Sequence, residues 1–179
     1  MKRLYLLRHG QTEFNVKKLV QGRCDSPLTD LGRQQAGMAA TWIKSHNVVP
    51  DKVVSSPLGR AMDTARLVAT ELLGPDAAVE PCEGIIERCY GTFEEGPHDA
   101  LPTDVWDPGE DLVPFGGEGS QALQERMVDA LTNIMGSEGI ETLLAVSHGQ
   151  PPIYQGRSPR GLRAPNKTPQ LRHHDLRFR

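Results

Sequence analysis

Short apolar runs alternate along this chain with longer stretches whose apolar positions recur at helical spacing. Leu4-Tyr5-Leu6-Leu7 and Leu143-Leu144-Ala145-Val146 predict buried strands over 3–7 and 142–146. Asp51 to Ser55 predicts another short strand, and Ala77 to Pro81 a third candidate between them. Leu31, Ala36, Ala39, Ala40 and Ile43 form an apolar stripe, which predicts a helix from Thr29-Asp30 to about His46, with Asp30 able to cap it. Ser56-Pro57 offers a capping residue and a first-turn proline for the next helix, and Leu73-Gly74-Pro75 stops it. Ser120 to Met135 predicts the last helix, with Leu123, Met127, Leu131 and Ile134 on one face. Thr12 to Lys18 reads as a short helical turn, the stretch from Gly22 to Pro27 as a loop, and residues 91–118, rich in Gly, Pro, Asp and Glu, as a long loop over a crevice. This alternation predicts an α/β fold: a three-layer sandwich with a mostly parallel central sheet, its C-terminal part missing or replaced.

A length of 179 residues suits one domain with a real core. No window approaches about eighteen consecutive apolar residues, so no membrane span is expected. The opening Met1-Lys2-Arg3 with four apolar residues is too short for a signal peptide and reads as the first strand. Cys24, Cys82 and Cys89 are odd in number and irregularly spaced, which argues against a disulfide framework and for a reducing, cytoplasmic setting. The same spacing argues against zinc, and no metal ligand is assigned. The net charge of −3 hides a division: residues 1–150 carry 13 Lys and Arg against 22 Asp and Glu, whereas residues 151–179 carry 7 against Asp175 alone. An acidic body that takes an anionic substrate must concentrate positive charge locally, and Arg8 and Arg60 are the candidates.

Two His-Gly pairs carry the chemistry. Arg8-His9-Gly10 and Ser147-His148-Gly149 each end a predicted buried strand, where open α/β sheets keep their ligand crevice. An imidazole nitrogen is a good nucleophile toward phosphorus, and an adjacent arginine offers a planar, permanently charged fork for phosphate oxygens. Phosphoryl transfer needs an in-line nucleophile, several positive donors around the equatorial oxygens and an acid for the leaving oxygen. His9 is the candidate nucleophile and His148 a donor to the same oxygens. Arg60 sits early in a predicted helix, whose N-terminus also favours anions.

Arg8-His9-Gly10-Gln11-Thr12-Glu13-Phe14-Asn15, Pro27-Leu28-Thr29-Asp30-Leu31-Gly32, Ser55-Ser56-Pro57-Leu58-Gly59-Arg60-Ala61 and Ser147-His148-Gly149 together resemble the histidine phosphatase superfamily, which includes cofactor-dependent phosphoglycerate mutases and related phosphatases. The resemblance covers residues 1 to about 149. It implies that His9 becomes a phosphohistidine, that Arg8, Arg60 and His148 hold the phosphate, and that Asn15 with the Gln21-Gly22 loop closes the pocket. It implies no metal. Glu87-Arg88-Cys89-Tyr90-Gly91-Thr92-Phe93-Glu94 matches the family's acid-bearing segment, which makes Glu87 the proton donor and Arg88 and Tyr90 substrate-binding residues; by spacing alone Glu83, Glu94 and Glu95 compete with Glu87.

The mutases of the family grip a second phosphate with paired arginines in a long insertion, whereas residues 92–125 hold no Lys or Arg. The expected activity is therefore hydrolysis of a small phosphorylated metabolite without a cofactor. The alternative is a phosphoglycerate mutase, which would need 2,3-bisphosphoglycerate, and a different class is an inactive phospho-ligand binder. The domain is expected over 1–150. Residues 151–165 hold four prolines and two glycines, and 151–179 reads as a basic, disordered or frame-shifted tail. An arm for nucleic acid is the lesser reading of it, because no aromatic interleaving accompanies the charge. Oligomeric state is not legible.

Overall fold

Both faces of the central strands are apolar, so the sheet has to be covered twice. The computed structural model describes residues 2–104 and 108–149, together with the backbone of 171–174. Strands β1 (Arg3–Arg8), β2 (Lys52–Ser55), β3 (Glu80–Pro81), β4 (Thr142–Ser147) and β5 (Leu171–His174) form one sheet in the order β3-β2-β4-β1-β5. The first four run parallel, and β5 is antiparallel to β1. Four helices accompany them: α1 (Glu13–Lys17), α2 (Asp30–Ser45), α3 (Gly59–Leu73) and α4 (Ser120–Gly136). Successive residues of a strand point to opposite faces. Leu144 and Val146 therefore pack with Ala36, Ala40, Ile43, Ala61 and Val68 of α2 and α3, while Leu143 and Ala145 pack with Leu123, Met127, Leu131 and Met135 of α4. The result is the expected three-layer α/β sandwich.

The parallel register of β1 on β4 aligns Arg8 with Ser147. His9 and His148 accordingly leave the sheet side by side, joined below by a hydrogen bond from the His9 amide to the Ser147 carbonyl at 3.0 Å. That register is the structural reason two motifs about 140 residues apart in sequence can serve one site.

Several local expectations are corrected. Helix α2 is capped by Thr29, whose hydroxyl accepts the Gly32 amide at 3.0 Å, and Asp30 is its first helical residue. Leu31, expected in the apolar stripe, is 47% exposed. Helix α3 begins at Gly59 instead of Ser56. Its first turn is capped from outside by Asp25, which accepts from the amides of Gly59 (2.8 Å) and Arg60 (3.4 Å). On α4 the core position is Met135, and Ile134 is only partly buried. The third strand shrinks to two residues, and the long loop over 91–118 contains single 3-10 turns at Gly91–Phe93, His98–Ala100 and Val113–Phe115.

The expectation for 151–179 falls mostly outside the described residues. Its described piece, β5, pairs Leu171 with Leu7 and His174 with Leu4. Composition did not lead to this strand, because ladder hydrogen bonds are made by backbone and demand little of side chains. Among the described residues no helix is long and apolar enough to cross a membrane.

The two-sided core yields a stability prediction. Leu144 is 1% exposed and sits in the layer between sheet and α2/α3. Leu144→Ala is expected to cost about 2–5 kcal/mol in equilibrium denaturation, as a cavity with partial collapse does. A cost under about 1 kcal/mol would mean that this layer is not close-packed.

Candidate active site

The His9 ring is fixed by its own backbone neighbour. Its Nδ1 lies 2.7 Å from the Gly10 carbonyl oxygen, which can only accept, so Nδ1 carries the proton and Nε2 keeps a free lone pair. The residue is 6% exposed. Burial first, then the charges of Arg60 and Arg8, lower its pKa from 6.5 to about 3. The ring is therefore neutral at physiological pH, as a nucleophile must be. Its ring centroid stands 5.1 Å from that of His148, edge to face.

His148 is held by Ser56. Its Nε2 is 2.6 Å from the Ser56 hydroxyl, the role left to that side chain once Asp25 had taken over the capping of α3. Burial, Arg60 and His9 depress its pKa well below the ordinary value. The Ser56 hydroxyl can donate or accept, so it serves either tautomer of the neutral ring while fixing the placement of Nδ1. That nitrogen is buried without a hydrogen-bond partner among the described residues and lies 3.9 Å from Glu87 Oε2.

Arg60 is 1% exposed. Its Nη1 donates to the Cys24 carbonyl at 2.8 Å and its Nη2 to the Gly22 carbonyl at 2.7 Å, while Asp25 Oδ1 stands 3.5 Å from Nη1. Its Nε is the second buried polar atom without a partner among the described residues. Two buried nitrogens without partners among the described residues, in a site with two further cationic or imidazole groups, describe a cradle for an anion's oxygens: an unmade buried hydrogen bond is costly unless a ligand completes it. Arg8 joins from the end of β1; burial lowers its pKa, against the opposing influence of Glu87 and Tyr90.

The loop that holds Arg60 is itself held by a carboxylate. Glu94 Oε1 accepts from the amides of Tyr90 (2.9 Å) and Arg23 (3.1 Å), and its Oε2 from the Cys24 thiol at 3.3 Å. Burial alone would raise the Glu94 pKa, but these hydrogen bonds outweigh it and bring it down. Gly22 adopts φ +52°, and a Cβ there would strike the Glu94 carboxylate, so only glycine lets the loop close on it. Glu94, a competitor for the acid role by spacing, is thus bound into the scaffold.

Glu87 faces the cradle. Its Oε1 accepts from the Arg88 amide at 2.8 Å, and its Oε2 lies 3.5 Å from the Gly149 amide. Asn15 and Gln21 join it around a small cavity of about 70 Å³ that Arg8, Gly22, Tyr90 and Leu123 also line. Asn15 Oδ1 accepts the Thr12 amide at 3.1 Å in the capping box of α1, and Gln21 Oε1 accepts the Thr12 hydroxyl at 2.8 Å, so both are oriented by one threonine. Tyr90, whose phenol pKa is pushed up first by burial and then by Glu87, sits on the same wall. A larger cavity of about 270 Å³ lies on the α2 side of His9, lined by Leu7, Gln11, Gln35, Ala36 and Ala39.

Arg88 touches the crevice, yet its guanidinium points elsewhere. Nη1 donates to the carbonyls of Glu118 (3.1 Å) and Gly109 (3.2 Å), and Nη2 to the Ser120 hydroxyl (3.0 Å). It ties the 109–120 stretch to the acid-bearing segment and leaves little of its fork for a substrate. Sequence reasoning missed Asp25, Thr64, Glu118 and Arg126. Thr64 takes the Gly10 amide at 3.1 Å and returns a hydrogen bond to the Arg60 carbonyl at 2.7 Å, linking the two phosphate-facing residues. Its position one helical turn after Arg60 was the available signal.

Comparisons with known proteins agree with this geometry. A family model described as the histidine phosphatase superfamily (branch 1) matches residues 4–152. A broad-specificity phosphatase of Saccharomyces cerevisiae is 32% identical over 150 residues, which is 82% of this chain but only 65% of that protein. A probable phosphoglycerate mutase of Photorhabdus laumondii is 34% identical over 156 residues, covering 83% of this chain and 70% of the other. Among solved structures, a mycobacterial glucosyl-3-phosphoglycerate phosphatase in complex with VO3 superimposes with a TM-score of 0.72 at 30% identity, over 83% of this chain and 77% of that one.

The depressed histidines set a pH dependence. Between their folded pKa values and 6.5 the unfolded chain binds more protons than the folded one, so stability rises with pH through that window and is lost as pH falls toward about 3. Chemical denaturation at pH 7, 6 and 5 should show this fall, and His9→Gln should flatten it. An unchanged slope in the variant would mean that His9 is not buried in its neutral form.

Proposed function

Because the chain belongs to the histidine phosphatase superfamily (branch 1), we propose that residues 1–150 form a catalytic domain that hydrolyses a small phosphomonoester through a phosphohistidine on His9. The observation that carries this reading is the pair of buried nitrogens without partners among the described residues, Arg60 Nε and His148 Nδ1, beside a His9 Nε2 with a free lone pair. His9 Nε2 attacks phosphorus, the P–O ester bond breaks, and protonated Glu87 gives its proton to the departing alkoxide. Arg8, Arg60 and His148 bear the charge on the equatorial oxygens. The Gly10 carbonyl, still accepting from Nδ1, supports the phosphorylated ring. Water then attacks, Glu87 takes its proton, the P–N bond breaks, and inorganic phosphate leaves with neutral His9 restored.

Hydrolysis is preferred to mutase exchange because, among the described residues, no second cluster of cations faces the crevice. The substretch 92–125 is without Lys or Arg, and Arg88 is engaged by Gly109, Glu118 and Ser120. Tyr90 and Leu123 on the crevice wall suit an uncharged alcohol portion. A reducing compartment such as the cytoplasm suits Cys24, Cys82 and Cys89, which stand unpaired.

Quenching a reaction with a labelled phosphomonoester should give an acid-labile, base-stable label that maps to His9; label on His148 or on a serine would overturn the assignment. Glu87→Gln should slow the phosphorylation of His9, read in a single turnover, by about 10²–10⁴-fold with alkyl phosphates, the usual worth of a general acid. It should spare that step with p-nitrophenyl phosphate, whose steady-state turnover still slows at the attack of water. Phosphate release and the interconversion of 3- and 2-phosphoglycerate are to be followed side by side. Fast interconversion dependent on bisphosphoglycerate, with negligible release, would establish the mutase instead.

A further inference from the structure

The segment that carries Glu87 is anchored from beneath by an arginine outside the catalytic crevice. Arg126, on the second turn of α4, donates through Nη1 to the Gly84 carbonyl at 3.0 Å and through Nη2 to the Glu87 carbonyl at 3.3 Å. One planar fork therefore holds both ends of the turn 84–87. Ser147 adds a third tie, its hydroxyl donating to the Ile85 carbonyl at 2.8 Å. The guanidinium is oriented by a bidentate pair with Glu118, at 2.6 Å from Nε to Oε1 and 2.7 Å from Nη2 to Oε2. This pair is largely buried, with side-chain exposures of 21% for Arg126 and 12% for Glu118.

Glu118 extends the anchor. Its amide donates to the Cys89 carbonyl at 2.8 Å, and its own carbonyl accepts from Arg88. Residues on both sides of Glu87 are thus fixed to one ion pair, while the Glu87 carboxylate itself is free of it. The contact requires close approach: a Cβ on Gly84 would collide with the Ala130 side chain, and the Arg126 carbonyl lies 3.3 Å from it.

We propose that Arg126, set by Glu118, is a positioning residue that fixes where the Glu87 carboxyl meets the leaving oxygen. This rests on the reading of Glu87 as the proton donor. A general acid works only within hydrogen-bond reach of the atom it protonates, and a misplacement near 1 Å can cost about 10²-fold. The charge is incidental to this role and the fork is essential, since a lysine ammonium cannot hold two carbonyls and a carboxylate in one plane.

The test compares wild type, Glu87→Gln, Arg126→Lys and the double variant on glycerol phosphate and p-nitrophenyl phosphate. Arg126→Lys should lose about 10- to 100-fold in the single-turnover rate of His9 phosphorylation on the alkyl ester and less than about threefold in that rate on the aryl ester. In the Glu87→Gln background it should cost less than about threefold on either, because the acid it positions is gone. Gly84→Ala, which keeps both side chains but lifts the turn from α4, should repeat the same selective loss, and decides the matter if Arg126→Lys does not fold. Equal losses on both esters, or undiminished loss in the Glu87→Gln background, would overturn the inference. If Glu87→Gln itself fails to discriminate between the esters, the acid assignment falls and the inference falls with it. If Glu87→Gln discriminates and Arg126→Lys does not, only the inference falls.

Discussion

The constraint on which the site depends is the burial of the Arg60 guanidinium. A cation removed from water costs several kcal/mol unless its protons find acceptors. Here the acceptors are main-chain carbonyls of Gly22 and Cys24, with Asp25 at longer range. The two carbonyls solvate the cation without neutralising it, while Glu87 and Asp25 offset part of its charge. Part of the charge remains available to an incoming anion, and Nε keeps an N–H without a partner among the described residues. Much of the surrounding chain serves this arrangement: Glu94 closes the 22–24 loop, Asp25 caps α3 and so fixes where Arg60 leaves the helix, and Thr64 couples its carbonyl to Gly10.

The same field explains the neutral histidines. Burial is the largest cause that depresses the pKa of both rings, and Arg60 and Arg8 act in the same direction. A cationic imidazole would have no lone pair for phosphorus, so in the proposed reaction the groups that bind the phosphate would also keep the nucleophile reactive. Substrate binding and nucleophile activation are here one electrostatic fact.

The strands, the helices and their layering were legible because each has a period that only one geometry satisfies. His9 and His148 were legible because strand ends in parallel sheets converge. The capping of α3 was not. Ser56 has the right type and place, but Asp25 reaches the same amides from 34 residues away, a distance over which local patterns say nothing. The acidic stretch 83–95 offered four carboxylates to spacing; the fold distinguishes them by what each accepts, with Glu94 committed to amides and a thiol and Glu87 left facing the crevice. Arg88 raises a related point: its charge suggests a substrate contact, and it lines the crevice, while its guanidinium also ties down the 109–120 stretch. Arg126 and Glu118 form a pair only once α4 folds back on the 84–89 segment.

Cys24 lies on the loop that grips Arg60, where a thiolate would be drawn toward positive charge and would rival the imidazole. Its contact with Glu94 prevents this. Burial, followed by hydrogen bonding to Glu94 and Glu95, pushes the thiol up to about 12. At pH 7 that leaves about one molecule in 10⁵ as thiolate, too few to intercept a phosphoryl group or to react readily with peroxide or electrophiles. The loop that holds Arg60 thus keeps its sulfur in the thiol form, the weaker nucleophile of its two protonation states.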